Sequence, residues 1–204
     1  MYKQNTTTST TENMRVTKRN GELEEVAFDK ILSRVKKLGQ EVGIQINYQQ
    51  LVIKIIDQLF DTISTTKIDE LLAEQCASMS TINPDYGTLS GRIIVSNHQK
   101  NTDDDLLNIV TDLKNNKDIQ GNLAPLVSEK YYNIVLNNKE TLQNMIVYER
   151  DYLLDFFGFK TLERSYLLKV NEGKIKRIVE RPQHLFIRVA VGIHGDDFES
   201  VKKT

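Results

Sequence analysis

Residues 16–31 of the chain read Val16-Thr17-Lys18-Arg19-Asn20-Gly21-Glu22-Leu23-Glu24-Glu25-Val26-Ala27-Phe28-Asp29-Lys30-Ile31. The pair Asn20-Gly21 predicts a β-hairpin, because both central residues of a type I′ turn need a positive φ and these residue types tolerate it. After the returning strand, apolar residues recur at spacings of three and four, as in a helix with one buried face. The stretch therefore predicts a small hairpin and then an amphipathic helix, whose inner positions are Phe28, Ile31, Val35, Leu38 and Val42.

Charged residues gather around this hairpin and at the start of the helix. Lys18 and Arg19 flank the turn, and Glu24 lies on the returning strand. Lys30 lies in the first turn of the helix. On charge content alone such residues are more often solvated surface groups than a binding site. Cations beside a hairpin and a helix start also suit the phosphates of a nucleotide, so charge by itself leaves both interpretations open.

Length, charge and cysteine content exclude several classes of protein. The chain has 204 residues, enough for one large or two small domains, of which we favour two, and its 27 basic and 28 acidic residues give a formal charge of −1. This balance argues against a general surface for nucleic acid or anionic membrane. A single cysteine, Cys76, excludes a disulfide framework within the chain and a zinc site built on cysteine pairs. No apolar stretch approaches the roughly 20 residues that span a bilayer, so we expect a cytoplasmic protein with neither membrane nor nucleic acid as a partner.

Three further helices are predicted after the first. Asn47, with Gln50 three residues later, predicts the start of a second helix, and Ser64-Thr65-Thr66 predicts the start of a third. Pro84 suits the first turn of a fourth helix. The predicted inner positions are Leu51, Ile55 and Leu59 in the second helix, Ile68, Leu72, Cys76 and Met79 in the third, and Leu89, Ile93 and Asn97 in the fourth.

The strings V-x-K-R-x-G and E-x-x-x-F-D-K-I within residues 16–31 resemble the opening of the ATP-cone, an allosteric nucleotide-binding domain of ribonucleotide reductase large subunits. The resemblance continues through Pro84-Asp85-Tyr86 and residues 92–97. It implies a pocket for ATP and dATP, with Mg²⁺, at the mouth of the helix bundle. The resemblance also implies where the site residues lie relative to the nucleotide. Lys18 and Lys100 would lie beside the triphosphate, and Thr65 and Asp69 beside the sugar and phosphates. The base would be surrounded by Ile55 and by the segment from Glu24 to Lys30.

For Thr65 and Asp69 the residues themselves leave a second interpretation open. Thr66 and Asp69 have the spacing of a capping box, and hydroxyls and acids at a helix start satisfy unpaired backbone amides. Simple helix capping therefore explains these residue types without any ligand.

The rest of the chain predicts a second helical domain. Asp103-Asp104-Asp105 indicates a linker or a helix start, residues 114–121 a loop, and residues 124–136 a helix. Two strand-like runs around Asn171-Glu172-Gly173 predict a hairpin, and Pro182 is expected to begin a helix with inner positions Leu185, Val189 and Ile193. No acid or third histidine stands at ligand spacing from His184 and His194, so we interpret them as surface or structural residues rather than metal ligands. Arg150, Arg164 and Arg181 are similarly interpreted as ion-paired structural residues.

Four stretches resemble the N-terminal all-helical domain of the class I reductase large subunit. They are residues 148–151, 156–168, 180–184 and 188–194. This resemblance implies an enzyme family, the thioredoxin-dependent ribonucleoside-diphosphate reductases, in which thiols supply the electrons that remove the 2′-hydroxyl. The family's catalytic cysteines lie in a barrel and a C-terminal tail, so we expect no catalytic residue and no catalytic cofactor in this chain. We expect a truncated N-terminal portion, since the chain stops within a helix that should begin near Asp196.

The implied partners are the remainder of the large subunit or a chain that supplies the barrel, the reductase small subunit, and further copies in the full protein. One alternative is a free-standing ATP/dATP-sensing module that acts on a partner protein. A transcription regulator built on an ATP-cone is disfavoured, because such proteins carry a zinc ribbon. The expected organisation is mainly α: a disordered tail (1–13), a hairpin plus four-helix ATP-cone (14–102), and a helical domain with one hairpin (103–204).

Overall fold

The computed structural model describes residues 14–204, so the predicted disordered tail lies outside the described residues. The fold is mainly α with two small sheets, as predicted. The chain divides into two compact units, and the division falls between Ile93 and Ile94. The helix that contains this division runs without interruption to Lys100, and we therefore retain a domain boundary after residue 102 as a proposal.

A three-stranded sheet begins the first unit. It contains β1 (Arg15–Thr17), β2 (Leu23–Glu25) and β3 (Ile63–Ser64) in the order β2-β1-β3, with β1 antiparallel to β2 and parallel to β3. The β1–β2 hairpin confirms the prediction made from Asn20-Gly21.

The type of turn in this hairpin was predicted wrongly. Gly21 has a φ of +86°, whereas Asn20 does not have a positive φ. The amide of Gly21 donates to the Lys18 carbonyl at 2.9 Å, and the amide of Lys18 donates to the Glu22 carbonyl at 2.8 Å. This is a three-residue loop in which a β-turn is followed by one left-handed glycine, a common alternative to the two-residue type I′ turn.

Three helices and the first part of a fourth complete the first unit, and all four follow the predicted order. The Asn47 side chain caps the second helix by accepting from the Gln50 amide, as predicted. Ser64 caps the third helix by accepting from the Lys67 amide, so the capping box predicted from Thr66 and Asp69 is wrong. The helices are α1 (Phe28–Gln40), α2 (Tyr48–Ile56), α3 (Thr65–Met79) and α4 (Pro84–Lys100).

The inner faces of these helices, up to Ile93 in α4, form the core of the first unit. Val42 was predicted to lie inside but is 47% exposed, because α1 ends before it. Gly39 permits the close approach of the Tyr48 ring, whose hydroxyl donates to the Ile44 carbonyl at 2.6 Å. The predicted inner positions that are buried include Val35, Leu38, Leu51, Ile55, Leu59, Ile68, Leu72, Cys76, Met79, Leu89, Ile93 and Asn97.

The second unit contains the remaining helices and a two-stranded hairpin. Asp105 begins the first of them by accepting from the amides of Leu107 and Asn108, so of the two alternatives left open for the three aspartates, linker or helix start, the structure shows the helix start. The next helix starts later than the predicted residue 124, because Ser128 supplies its cap. The elements are α5 (Leu106–Lys114), α6 (Glu129–Asn137), α7 (Lys139–Gln143), a 3-10 helix (Tyr148–Leu153), α8 (Phe156–Ser165), β4 (Lys169–Glu172), β5 (Ile175–Ile178), α9 (Pro182–His194) and α10 (Phe198–Lys203).

Helix α9 begins at Pro182 as predicted, but its buried face differs from the prediction. Leu185 is buried, whereas Val189 is 44% and Ile193 is 65% exposed. The helix has apolar residues on two faces. Their spacing of three and four residues occurs on both faces, so it does not predict which face is buried. The core of this unit is instead built by Ile187, Ala190 and Val191 of α9 together with Leu106, Val110, Tyr131, Val135, Leu142 and Val201.

Buried polar groups hold the start of α9 within the second unit. The Arg181 guanidinium donates to the carbonyls of Gln99 at 2.9 Å and Thr102 at 2.7 Å. His184 Nδ1 accepts from the Arg181 amide at 3.0 Å, and its Nε2 lies 2.8 Å from the Tyr148 hydroxyl. Burial, followed by the nearby Arg181 charge, lowers the pKa of His184 to about 3. His184 and Arg181 are therefore structural, although Arg181 binds carbonyl groups here rather than a carboxylate.

Candidate functional site

The first group of site residues lies on the hairpin and at the start of α1. The Glu24 carboxylate lies between the ammonium groups of Lys18 and Lys30 and pairs with both. Glu24 stands opposite Val16 in the β1–β2 ladder, and Lys18 directly follows β1. The hydrogen bond from Lys18, then that from Lys30, lowers the pKa of Glu24 to about 2. Glu24 is therefore an anion at neutral pH, and the structure brings these three predicted residues together.

The second group surrounds Asp69, which is 5% exposed on α3. Its Oδ2 accepts from Arg19 Nη2 at 3.1 Å and from Arg34 Nη2 at 3.2 Å. Its Oδ1 lies 3.4 Å from Arg34 Nε. Asp69 therefore pairs with two guanidinium groups from two different elements and does not cap α3.

Chain connectivity and strand register place the two groups side by side. Arg19 follows Lys18 in the hairpin, and Arg34 lies one helical turn after Lys30 in α1. Thr17 pairs with Ser64 in the parallel β1–β3 ladder, so the next residues, Lys18 and Thr65, leave the sheet as neighbours. Thr65 is the first residue of α3, at the positive end of that helix's dipole. The result is a region with four cations, two carboxylates and a helix N-terminus, which favours an anionic ligand.

The two remaining predicted site residues are Ile55 and Lys100. Ile55 has no exposed surface on α2, so in this conformation its side chain is not available to a ligand. Lys100 is the exposed last residue of α4 and belongs to the second unit.

Arg19 and Arg34 were not among the predicted site residues. Their neighbours gave a signal, since Arg19 adjoins Lys18 and Arg34 follows Lys30 by one turn. Their common partner, Asp69, lies 35 or more positions away along the chain and becomes a contact only through the fold.

The second unit contains a groove of about 1040 Å³ that includes no predicted site residue. It is lined by apolar groups such as Leu153 and Phe186 and by charged groups such as Arg150 and Lys202. Within residues 14–204, no three or more His, Cys, Asp or Glu side chains are grouped so that they could hold a metal ion. None of the helices in this range is long and apolar enough to cross a membrane.

Two family models match the chain. Residues 14–101 match the ATP cone domain, and residues 152–204 match the all-alpha domain of ribonucleotide reductase. The match to the ATP cone domain covers the three-stranded sheet, helices α1 to α4 and the charged region.

Curated relatives extend the match to nearly the whole chain. It is 46% identical over 193 residues to ribonucleoside-diphosphate reductase large chain 2 of Saccharomyces cerevisiae, covering 94% of this chain and 22% of that protein. It is 45% identical over 208 residues to the large subunit of Dictyostelium discoideum, covering 98% and 23%, and 41% identical over 191 residues to that of Plasmodium falciparum, covering 94% and 23%. The chain belongs to the family of ribonucleoside-diphosphate reductase large subunits and spans less than a quarter of the length of these relatives.

Proposed function

We propose that this chain is the N-terminal regulatory part of a cytoplasmic ribonucleoside-diphosphate reductase large subunit. In this proposal the first unit binds ATP and dATP as effectors that control the reduction of ribonucleotides to deoxyribonucleotides for DNA synthesis. One observation carries it: two adjoining clusters of cations and carboxylates lie inside the segment that matches the ATP cone.

The triphosphate is assigned to the cations of the hairpin. Its oxygens compete with the Glu24 carboxylate for Lys18, because an ammonium group pairs with either anion without demanding a fixed geometry. Thr65 and the N-terminus of α3 add donors beside Lys18, and Mg²⁺ would accompany the phosphates. For Lys100 the support is the family resemblance alone.

The sugar and the base are assigned to the neighbouring residues. Asp69 and Thr65 stand beside the sugar, and the segment from Glu24 to Lys30 stands beside the base. Because Ile55 is fully buried, its proposed contact with the base requires a local shift of α2.

To control catalysis, the proposed regulatory chain needs further protein partners. They are the remainder of a large subunit, joined or separate, the reductase small subunit, and further copies of the large subunit. A free-standing sensing module shares the nucleotide site and differs only in acting on a separate chain, so co-purification with a barrel-supplying chain distinguishes the two forms.

Calorimetric titration of the chain with ATP, dATP and adenosine in the presence of Mg²⁺ tests the nucleotide assignment. We expect saturable binding of both triphosphates and much weaker binding of adenosine, because the cations contact phosphate rather than base. Absence of saturable binding at millimolar ATP would contradict the proposed function.

A further inference from the structure

The Asp69 carboxylate has two counter-ions that differ in how firmly the fold holds them. Arg34 lies in the middle of α1, next to the fully buried Val35, and reaches both carboxylate oxygens. Arg19 lies in the three-residue loop of the hairpin and donates to Oδ2. A helix packed into the core fixes its side chains more firmly than a hairpin loop does.

We propose that Arg34 is the permanent counter-ion of Asp69, whereas Arg19 exchanges between Asp69 and a phosphate of the bound nucleotide. Arg34 is thus a positioning residue of the nucleotide site and does not itself contact the ligand. This inference rests on the proposed function and adds a regulatory step to the same site.

Arg34 must stay paired with Asp69 because the Asp69 carboxylate is almost completely buried. A buried carboxylate that loses its only cation is strongly destabilised, because nothing compensates for its lost hydration. With Arg34 in place, Arg19 can turn toward a phosphate while Asp69 keeps two N–H donors. Without Arg34, the same movement would leave the anion buried and unpaired.

The exchange has a conformational consequence. In the structure, Arg19 ties the hairpin to α3 through Asp69. When Arg19 moves to the phosphate, that tie becomes one between the hairpin and the ligand. Nucleotide binding would therefore break the side-chain link between the hairpin loop and α3, whereas the β1–β3 ladder stays in place and Asp69 stays attached to α1 through Arg34.

A double-mutant cycle tests this inference by calorimetric measurement of ATP affinity. Arg34→Leu should weaken ATP binding at least about ten-fold, because it removes the charged partner that makes the exchange possible. In the Asp69→Asn background, the same substitution should change affinity less than about two-fold, since no buried anion remains to be compensated. Arg34→Lys keeps the positive charge but loses the planar guanidinium group that donates to both carboxylate oxygens, so it should give an intermediate affinity.

Arg92→Leu is the matched control, since Arg92 bonds the Leu38 carbonyl and Glu41 elsewhere in the first unit. It should leave ATP affinity unchanged even if it lowers thermal stability. Equal effects of Arg34→Leu in both backgrounds, or no effect in either, would overturn the inference. If Arg34→Leu alone does not fold, the Arg34→Lys comparison across the two backgrounds decides in the same way. Failure of the parent chain to bind ATP would instead overturn the proposed function.

Discussion

Glu24 and Asp69 differ in the mobility of the cations they hold. Glu24 is partly exposed and pairs with two lysines, which are flexible point charges that a ligand can attract away. Asp69 is buried and pairs with two arginines, whose planar groups hold a carboxylate in a defined orientation. We infer that the lysines around Glu24 bind the incoming ligand and that the arginines around Asp69 couple its binding to a conformational change.

The first prediction concerns Lys18. Lys18→Ala should weaken ATP and dATP by similar factors, because both ligands carry the same phosphates. Loss of one charge-assisted contact removes roughly 1.5–3 kcal/mol, which is about one to two decades in affinity. The control is Lys139→Ala, which removes a lysine that pairs with Asp105 in the second unit. Unchanged calorimetric affinity in Lys18→Ala would place the phosphates elsewhere.

The second prediction concerns Asp69. ATP and dATP differ by one hydroxyl, so a differential response requires that this hydroxyl bias two conformations. Asp69→Asn should leave nucleotide affinity within a few fold but remove the dATP-specific change in assembly when this segment is joined to a complete large subunit. Size-exclusion chromatography at saturating ATP and at saturating dATP measures this. A variant that forms the same dATP-specific oligomer as the parent would show that Asp69 has no role in the switch.

One charged cluster of the first unit was predictable from local sequence, but the partners of Asp69 were not. Lys18, Glu24 and Lys30 were selected from a local motif, and they meet because they lie on one hairpin and the helix that follows. The partners of Asp69 depend on how α3 is placed by the β1–β3 ladder, and no local pattern encodes that contact. The same placement explains why Ser64 rather than Thr66 caps α3.

Helices with a strong capping signal and one apolar face were predicted well. Asn47, Asp105 and Pro84 begin helices as expected, because capping and first-turn proline act within a few residues. Helix α9 was oriented wrongly, since it is apolar on two sides and only packing selects the buried one. Local chemistry therefore predicts where elements begin, and tertiary contacts decide which face they bury.

The third prediction compares two helical glycines. In Gly39→Ala the new Cβ would overlap the Tyr48 hydroxyl, so the substitution should destabilise the chain by about 1–3 kcal/mol. Gly192→Ala on α9 meets no atom within 4 Å and should stabilise by roughly 0.5–1 kcal/mol, because alanine favours a helix. Urea unfolding measures both. Equal effects of the two substitutions would show that the approach of α1 to Tyr48 is not as tight as described.

The fourth prediction concerns His184, which links Arg181 to Tyr148. Its folded pKa of about 3 lies below its ordinary value of 6.5, so between these values the unfolded chain binds the extra proton. The stability that His184 contributes is therefore complete above pH 6.5 and is lost as the pH falls toward 3, by up to about 1.4 kcal/mol per pH unit.

His184→Asn keeps an acceptor for the Arg181 amide but cannot titrate. Urea unfolding at pH 7.5, 6 and 5 should show a lower stability at pH 7.5, from the lost Tyr148 contact, and a shallower decline toward pH 5. Parallel pH dependence in the parent and the variant would contradict the assignment of a neutral, buried His184.

The fifth prediction concerns the chain as a whole. Cys76 is its only cysteine and is buried, and burial raises the pKa of its thiol to about 12. A thiolate is therefore scarce at neutral pH, and no second thiol exists for a redox pair. The chain with a reductase small subunit and a dithiol should form no deoxynucleotide. Deoxynucleotide above a no-enzyme blank, measured chromatographically, would contradict this expectation.

The proposed function depends on ATP binding to the charged region of the first unit. Titration of the ¹⁵N-labelled chain with ATP, followed by amide chemical shifts, locates the bound ligand without any substitution. We predict that the largest shifts occur in residues 17–30 and 64–70, which contain the hairpin, the start of α1 and the start of α3. Largest shifts in the groove of the second unit, around residues 144–154 and 182–203, would show that ATP binds there instead.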